Sequence, residues 1–469
     1  MSKKNDLQEK LCYKNENAFS KQTDKQKAEI FEFCEDYRKF ITAAKTEREF
    51  CESAVRELEK AGFVSLESKK LLKAGDKVYT VNRGKGVMAV VIGREDITDG
   101  VNIVGAHIDS PRLDLKPNPL YEDGGMALFK THYYGGIKKY QWTAMPLAIH
   151  GVAALADGTQ IKIVVGEDEK DPVFCVSDLL PHLAVAQMSK KLSEAISGEN
   201  LNVLVGNIGC DDPDIKEGVK FAVLKLLNEK YDIVEEDLLS SEIEVVPAFG
   251  ARDIGFDRSV IGGYGQDDRV CAYTALRAVM EMKEPEHTSV CLLVDKEEVG
   301  SMGATGMQSR YFENVMAKIC SMCKSDYNDI TLRETLSNST CLSADVGTAF
   351  DPNYPEVSEK KNCAIFGGGL VLTKYTGSRG KGGASDACAE LVAKIRRIFN
   401  DNDVKWQMGE LGKVDCGGGG TIAQFVANLD IDVIDAGVPL LSMHSPFELS
   451  NKLDVFMAYK GYREFYKNN

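Results

Sequence analysis

The second half of the chain alternates short apolar runs with amphipathic segments, and this alternation limits the folds that it can adopt. Residues 289–294, 341–344 and 431–434 are strand-like, whereas residues 269–282 and 386–399 have the apolar spacing of helices. Strands that are buried on both faces and alternate with helices are typical of α/β layers. We therefore predict an α/β fold built on a mixed, largely buried sheet.

A stretch in the first half of the chain has a different sequence pattern. Between residues 120 and 246 the sequence shows short strand-like runs such as 151–155, acidic loops, and a segment at 181–196 that predicts a helix. We interpret 120–246 as an inserted, mostly β domain. Residues 1–119 and 247–469 would then form one discontinuous domain around it.

Charge and cysteine content speak against several classes of protein. The 469 residues carry a formal net charge of −14, which would repel a phosphate backbone, so we expect no nucleic acid as a partner. No apolar run reaches the roughly 18 residues of a membrane span, and the N-terminus lacks the apolar core of a secretory signal. Thirteen cysteines, an odd number without disulfide-like spacing, predict reduced thiols. We expect a cytoplasmic protein with no membrane partner.

One of the six histidines ends a predicted strand in a motif that suits metal binding. His107 lies in the string GAHIDSPR, and Asp109 follows two residues later. At a strand end, side chains two residues apart share a face, so Asp109 can accept a hydrogen bond from one imidazole nitrogen while the other binds an ion. A His-x-Asp pattern also arises by chance, so the motif needs further ligands to predict a site.

Two pairs of adjacent acidic residues are candidate ligands. Glu297 and Glu298 follow the apolar run 289–294 in VDKEEVGS, and Asp267 and Asp268 precede a predicted helix in GGYGQDDRV. Such acids are commonly a solvated loop edge or a helix N-cap. Metal-assisted hydrolysis is the alternative, because it needs one carboxylate to hold the ion and a neighbour to take a proton from the attacking water.

Two more candidates follow apolar strands. Asp345 lies in CLSADVGTAF, and His444 lies in PLLSMHSPFE. With His107, Asp267 and Glu298, they place five ligand-type side chains at the carboxyl ends of separate α/β segments, where open sheets present their ligand sites. The sequence therefore predicts a metal centre at that edge of the sheet.

These ordered motifs resemble those of the M18 family, which includes aspartyl aminopeptidase and vacuolar aminopeptidase I, and the likeness runs through nearly the whole chain. The resemblance implies a metallopeptidase that removes N-terminal amino acids from peptides through a co-catalytic dinuclear zinc centre. Glu297 would be the general base, and Asp109 would orient His107. The implied metal ligands are His107, Asp267, Glu298, Asp345 and His444.

The resemblance also implies an assembly and a substrate pocket. Residues 120–246 would mediate dimerisation, and the dimers would build a dodecamer. His182, in LLPHLAVAQ, resembles a histidine that reaches into the active site of a neighbouring subunit to bind substrate and stabilise an oxyanion, although a simple helix-terminal histidine fits the string as well. Lys374 and the turn YTGSRGKGG fall where the family builds part of its substrate pocket. The partners would be peptides with free N-termini and other copies of this chain.

The metal and the substrate side chain are not fixed by the motifs. Mixed histidine and carboxylate ligands suit zinc, but manganese and cobalt accept the same donors. Acid-selective members place histidines shortly after the residue that Asp345 matches, whereas this chain has Thr348 and Asp351 there. A pocket without those cationic partners should bind an acidic side chain less well. We therefore expect neutral N-terminal residues to be cleaved at least as well as Asp or Glu.

Three alternatives compete with an M18 aminopeptidase. An M42-type aminopeptidase would share the metals and differ in the insertion, but the long string GAHIDSPRLDLKPNP favours M18. A related zinc carboxypeptidase or deacylase would act on blocked amines. A catalytically silent scaffold that assembles into a shell would have no need to keep Glu297 and all five ligands.

Overall fold

The computed structural model describes residue 7 and residues 11–469. Its strands form a large mixed sheet, a smaller antiparallel sheet, a third sheet and a short two-stranded ribbon. In chain order the strands are β1 (Val64–Ser65), β2 (Lys77–Val81), β3 (Val87–Val91), β4 (Val101–His107), β5 (Arg112–Asp123), β6 (Met126–Tyr134), β7 (Leu147–Ala154), β8 (Gln160–Val165), β9 (Val203–Gly206), β10 (Ser241–Pro247), β11 (Arg252–Ile254), β12 (Val260–Gly263), β13 (Thr288–Val294), β14 (Thr340–Ser343), β15 (Gly347–Thr348), β16 (Leu370–Thr373), β17 (Gly377–Ser378), β18 (Trp406–Met408), β19 (Gly418–Gly419), β20 (Asp432–Gly437), β21 (Pro439–Leu441) and β22 (Glu448–Asn451).

The helices begin with two that have strong N-terminal caps. Thr23 and Thr46 each accept a hydrogen bond from the backbone N–H three residues later, and the side chains of Gln26 and Glu49 close a capping box in return. The helices are α1 (Asp24–Ala43), α2 (Glu47–Lys60), α3 (Val185–Met188), α4 (Leu192–Ala195), α5 (Gly218–Tyr231), α6 (Gln266–Met280), α7 (Tyr311–Cys323), α8 (Asp329–Ser337), α9 (Ala389–Asp401), α10 (Ala423–Ala427) and α11 (Lys452–Asn468). Within the described residues, no helix combines the length and the apolar character that crossing a membrane requires.

The large sheet has the strand order β1-β2-β3-β13-β4-β14-β20-β16-β18. Its centre is parallel, since β4 pairs in parallel with β13 and β14, and β14 pairs in parallel with β20. All residues of β4 and β13 are buried, and apolar cores that include helical residues cover both faces. This mixed α/β sheet is the predicted fold class. Because the central strands run in parallel, their carboxyl ends meet at one edge.

The second sheet is antiparallel and has its own core. Its strand order is β8-β7-β10-β5-β6-β9, and all of its strands come from residues between Arg112 and Pro247. The core contains Trp142 and is completed by α5 through Val219 and Val223. This separate core is consistent with the different pattern of apolar runs in this part of the sequence.

The predicted helix at 181–196 is wrong. This segment forms a 3-10 turn (Pro181–Leu183), followed by the four-residue helices α3 and α4. No side chain caps either helix, and Lys191 between them has an extended backbone. Val185 and Met188 are about three-quarters exposed, at 76% and 75%. Without a cap or a core to cover its apolar face, a longer helix has little to stabilise it.

Candidate metal centre

The parallel pair β4 and β13 brings the first two motifs together. In their register His107 lies opposite Val294, so that Glu297 and Glu298 follow on the same edge of the sheet. The His107 Nε2 atom lies 3.9 Å from Glu297 Oε2, and His107 is 1% exposed. The sequence motifs GAHIDSPR and VDKEEVGS therefore meet in space.

Asp267 joins these residues to His444. Its Oδ1 atom lies 3.2 Å from His107 Nε2, and its Oδ2 atom lies 3.2 Å from His444 Nε2. His444 Nε2 is also 3.6 Å from Glu298 Oε2. Ligand atoms of His107, Asp267 and Glu298 all lie within 4.8 Å of one another, as required for binding an ion. Each oxygen of Asp267 thus faces a different histidine.

A cavity of about 390 Å³ opens onto this group. Asp345, which follows β14, lines it together with Asp267, Glu297, Glu298 and His444. Among the described residues that line the cavity, none is a lysine or an arginine. The Glu298 Oε1 atom is buried and lacks a hydrogen-bond partner. Buried carboxylates without a cation are costly, so this histidine and carboxylate set fits divalent metal ions.

The electrostatics reflect this surplus of negative charge. Burial, together with Asp267 and Asp109, raises the pKa of Glu297 to about 7. Burial and the charge of Asp268 raise the pKa of Asp345 well above its usual range. Burial would lower the pKa of His444, but the hydrogen bond and charge of Asp267, together with the charge of Glu298, outweigh burial and raise the pKa to about 10. The carboxylates therefore stabilise positive charge at this position.

Two buried acids hold the group in place. Asp109 accepts hydrogen bonds from the backbone N–H groups of Glu297 and Glu298 at 3.1 and 3.2 Å, and its Oδ1 lies 3.2 Å from His107 Nδ1. Glu448 accepts hydrogen bonds from the N–H of His444 at 2.8 Å and of Asp267 at 3.1 Å. Sequence reasoning singled out Asp109 but missed Glu448. The available signal was an acidic residue shortly after His444, at the start of a strand.

The remaining predicted residues lie in different surroundings. His182 is exposed on the turn Pro181–Leu183 and is not among the residues that line the cavity of its own chain. Lys374 follows β16, where its neighbour Thr373 lines the cavity. Thr348 lines the cavity, whereas Asp351 lines an adjoining space of about 280 Å³ that shares Thr348.

Comparison with known proteins decides the family. A family described as "Aminopeptidase I zinc metalloprotease (M18)" matches residues 40–466. The chain belongs to the M18 family. This M18 chain is therefore a metalloaminopeptidase, which is a hydrolase. The resemblance seen in the motifs is confirmed, and so is the aminopeptidase class.

Individual M18 relatives agree with this assignment. The chain is 54% identical to the Clostridium acetobutylicum protein named "Probable M18 family aminopeptidase 1", over 98% of this chain and 99% of the relative. The crystal structure of an M18 aminopeptidase from Thermotoga maritima is similar with a TM-score of 0.94 and 48% identity, over 98% of this chain and all of that one. The S. cerevisiae mApe1 dodecamer is similar in fold, with a TM-score of 0.75 and 21% identity over 92% of this chain and 96% of that one.

Proposed function

We propose that this M18 aminopeptidase removes N-terminal amino acids from peptides at a co-catalytic dinuclear zinc centre. The observation that supports it most directly is the position of Asp267, whose two oxygens lie 3.2 Å from His107 Nε2 and 3.2 Å from His444 Nε2. A carboxylate that faces a histidine on each side is arranged to bridge two ions. Zinc agrees with the description of the family and with the donor set, although manganese and cobalt also accept these ligands.

The five ligands divide into two groups around Asp267. In this proposal His107 and Asp345 complete one site, and Glu298 and His444 complete the other. The orphaned Oε1 atom of Glu298 and the absence of lysine and arginine from the described cavity lining support a site that needs cations. When bound, the ions would polarise the scissile carbonyl and provide an attachment point for the free α-amine.

The proton transfers are assigned to Glu297. Its side chain lines the cavity beside the ligands, and its backbone N–H is fixed by Asp109 at 3.1 Å. From this position Glu297 would accept the proton of the attacking water and deliver it to the leaving amine. Asp109 would hold the orientation of His107, because a buried carboxylate on Nδ1 leaves Nε2 free to act as a ligand.

Metal analysis alongside a substrate panel tests this function. Purified protein should contain two divalent ions per chain and should cleave aminoacyl substrates with free N-termini. Matched substrates with an acetylated N-terminus should resist cleavage, because they lack the amine that binds at the centre. Preferential cleavage of the blocked substrates would instead identify a deacylase or carboxypeptidase of related chemistry.

The same panel tests the substrate side chain. We propose that neutral N-terminal residues are cleaved at least as well as Asp or Glu, because Thr348 on the cavity wall and Asp351 in the adjoining space provide no positive charge. Lys374 is the candidate substrate-binding cation nearby and acts in the opposite direction. A preference of several hundredfold in kcat/KM for Asp or Glu over Leu would show that Lys374 dominates.

Assembly is a further part of the proposal. We propose that 1–119 and 247–469 form the discontinuous catalytic domain, and that 120–246 forms an inserted dimerisation domain from which dimers build a dodecamer. Exposed apolar side chains around His182, including Leu183 and Val185, support an interface there. The fold-level relative from S. cerevisiae is described as a dodecamer. His182 would then reach the active site of a neighbouring subunit and stabilise the developing oxyanion.

Mixing two inactive variants tests the shared site. Glu297→Gln and His182→Ala proteins should each have low activity, and hybrid oligomers should recover part of it because some sites combine an intact Glu297 with an intact His182. Subunit exchange must be shown independently, for example by mass-tagged subunits. Exchange without recovery would place the action of His182 within its own chain or outside catalysis.

We also propose that the protein acts in the cytoplasm. All thirteen cysteines, each of them within the described residues, are free thiols, and seven of them are buried. Reduced cysteines in this number are typical of a reducing compartment. Fractionation of cells that express the native protein would test this location.

A further inference from the structure

One short segment of the second sheet contacts the metal centre at several points. The strand β6 ends at Tyr134, and Gly135 and Gly136 follow it directly. We refer to these residues as the Tyr134–Gly136 segment. No motif in the sequence analysis included it, yet each of its residues approaches a side chain of the centre.

Tyr134 contacts the acid that organises one side of the centre. Its hydroxyl donates a hydrogen bond of 2.8 Å to Asp109 Oδ2. Asp109 is fully buried, and the same carboxylate faces His107 Nδ1 and accepts the backbone N–H groups of Glu297 and Glu298. The Tyr134 hydroxyl is thus a donor from the second sheet that helps to fix the rotation of a carboxylate on which three functional residues depend.

The ring of Tyr134 is itself held in place. The guanidinium of Arg112 lies over it, 3.9 Å from the ring centroid. Arg112 is 6% exposed and pairs with Asp114 at 2.8 Å and with Glu244 at 3.2 Å. A cation that is fixed by two carboxylates and stacked on the ring restricts the motion of the phenol.

The two glycines contact the other side of the centre. The carbonyl of Gly136 accepts a 2.8 Å hydrogen bond from His444 Nδ1, so the proton on Nδ1 leaves Nε2 to face Asp267 and Glu298. A Cβ atom on Gly136 would lie 3.2 Å from His444 Nδ1. Gly135 has a φ of +71°, and a Cβ atom there would lie 3.2 Å from Glu298 Oε2. Backbone can approach this closely only where there is no side chain.

We propose that the Tyr134–Gly136 segment is a positioning element that orients both histidines of the centre, His107 through Asp109 and His444 through the Gly136 carbonyl. The inference rests on the proposed dinuclear site and extends it, because it assigns the orientation of both histidines to the end of a strand of the second sheet and the two glycines that follow it. Since one three-residue segment contacts both sides, a displacement of its strand would affect the two histidines together. Tyr134 is a positioning residue in this scheme and does not touch the substrate.

Removing the Tyr134 hydroxyl tests the first contact. In purified holoenzyme, Tyr134→Phe should lower the zinc affinity of the more affected site by about 10–100-fold, as measured by competition titration with a chelator. Losing an outer hydrogen bond to a metal ligand usually has an effect of this size. The visible spectrum of the cobalt-substituted protein should change, and kcat should fall while KM stays within about twofold. Tyr133→Phe is the matched control, because Tyr133 is 41% exposed, and it should leave all three measurements unchanged.

A second variant tests the other contact independently. Gly136→Ala should displace His444 and lower the affinity for the other zinc ion. The control Gly209→Ala should not, because Gly209 is exposed away from the cavity lining and a Cβ atom there meets nothing closer than 3.7 Å. Wild-type zinc affinities and cobalt spectra in both Tyr134→Phe and Gly136→Ala would overturn the inference. If each variant lowered the affinity for both ions equally and also lowered the melting temperature, the segment would support the fold in general. That result would also overturn the inference. A wild-type enzyme that binds fewer than two ions would instead contradict the proposed function.

Discussion

Two buried histidines of this chain each lie between two carboxylates, but their surroundings differ. His107 Nδ1 and Nε2 are 3.2 Å from Asp109 and from Asp267, at the candidate metal centre. His150 Nδ1 and Nε2 are 2.8 Å from Glu49 and 2.9 Å from Glu167, where the N-terminal helices meet the second sheet. The same local chemistry therefore occurs once in each of two regions.

The two regions differ in what can supply positive charge to their carboxylates. Around His150 the chain provides a cation of its own, because Lys45 is buried against Glu167 and also donates to the carbonyl of Pro247 at 2.8 Å. We call Lys45, Glu49, His150 and Glu167 the charge-paired cluster. Around His107 the described cavity lining offers carboxylates without lysine or arginine. The comparison teaches that carboxylates balanced by the protein's own cations stabilise the fold, whereas unbalanced carboxylates are available for metal ions.

Removing metal should separate the two regions most clearly. Exhaustive chelation should reduce peptide cleavage to background, because the five proposed ligands then hold no ions, and zinc, manganese or cobalt should restore it. The charge-paired cluster needs no ion, so the far-ultraviolet circular dichroism of the chelated protein should stay close to that of the holoenzyme. Cleavage that persists after verified metal removal would break the comparison, since the unbalanced acids would then have another role.

Neutralising one acidic residue of the metal centre at a time should sharpen the comparison between the two regions. Glu297→Gln should lower kcat by roughly 10²–10⁴ while zinc content persists, since general-base catalysis contributes about that much. Glu298→Gln should instead lose zinc, because Glu298 is a proposed ligand. Zinc analysis and turnover should be measured on the same preparations. The reverse pattern, with the site emptied by Glu297→Gln, would exchange the roles of these neighbours.

In the charge-paired cluster the expected effect is on stability. Lys45→Met should lower the free energy of unfolding by about 3 kcal/mol, since it removes a buried cation and leaves His150 alone to balance two carboxylates. Urea unfolding at fixed protein and zinc concentrations gives the value. The matched control is Lys162→Met, because Lys162 and its partner Glu52 are 50% and 58% exposed, and a surface pair contributes at most about 1 kcal/mol. Equal losses in the two variants would contradict a special role for the buried lysine.

The smallest expected effect is the pH dependence of His150. Burial alone would lower the pKa of His150, but the hydrogen bonds and the negative charges of Glu167 and Glu49 together outweigh burial and raise the pKa. A folded pKa above the unfolded value of about 6.5 gives stability that is fully present below that value and is lost as the pH rises through the folded pKa. The advantage of wild type over His150→Gln should be roughly 1.5–3 kcal/mol at about pH 5–6, where His150 is charged and both glutamates are ionised, and should shrink as the pH rises. An advantage that grows with pH would show that His150 is neutral when folded.

Several features of the fold and of the metal centre follow from local sequence. The capping boxes at Thr23 and Thr46 and the buried strand before His107 are encoded by neighbouring residues. For the strand, this local pattern is why it was predicted. The ligand candidates were also recognisable, because each one follows an apolar strand or precedes a helix. Parallel pairing places the ends of β13, β4 and β14 at one edge. Asp267 and His444 follow strands of the third sheet, so the parallel pattern alone did not bring them to that edge.

Other features depend on residues that are far apart in the chain. Segment 181–196 has helical apolar spacing, but spacing does not show that no core covers it, so the predicted helix was wrong. Glu448 contacts the backbone of Asp267, which is 181 positions earlier, and Gly136 contacts His444, which is 308 positions later. Such contacts leave no periodic signal, because they arise only when distant strands pair or separate sheets pack together.

The sequence by itself determined the class of fold, the candidate ligands and the M18 resemblance, since these depend on residue type and on short-range pattern. Only the tertiary structure decided which carboxylates lie beside a cation of the protein and which do not. Glu49 and Glu298 are both glutamates near other acids in sequence, yet one meets His150 beside a buried lysine and the other faces the cavity. The physical reason is that electrostatic balance is a property of the space around a group, and that space is filled by distant parts of the chain.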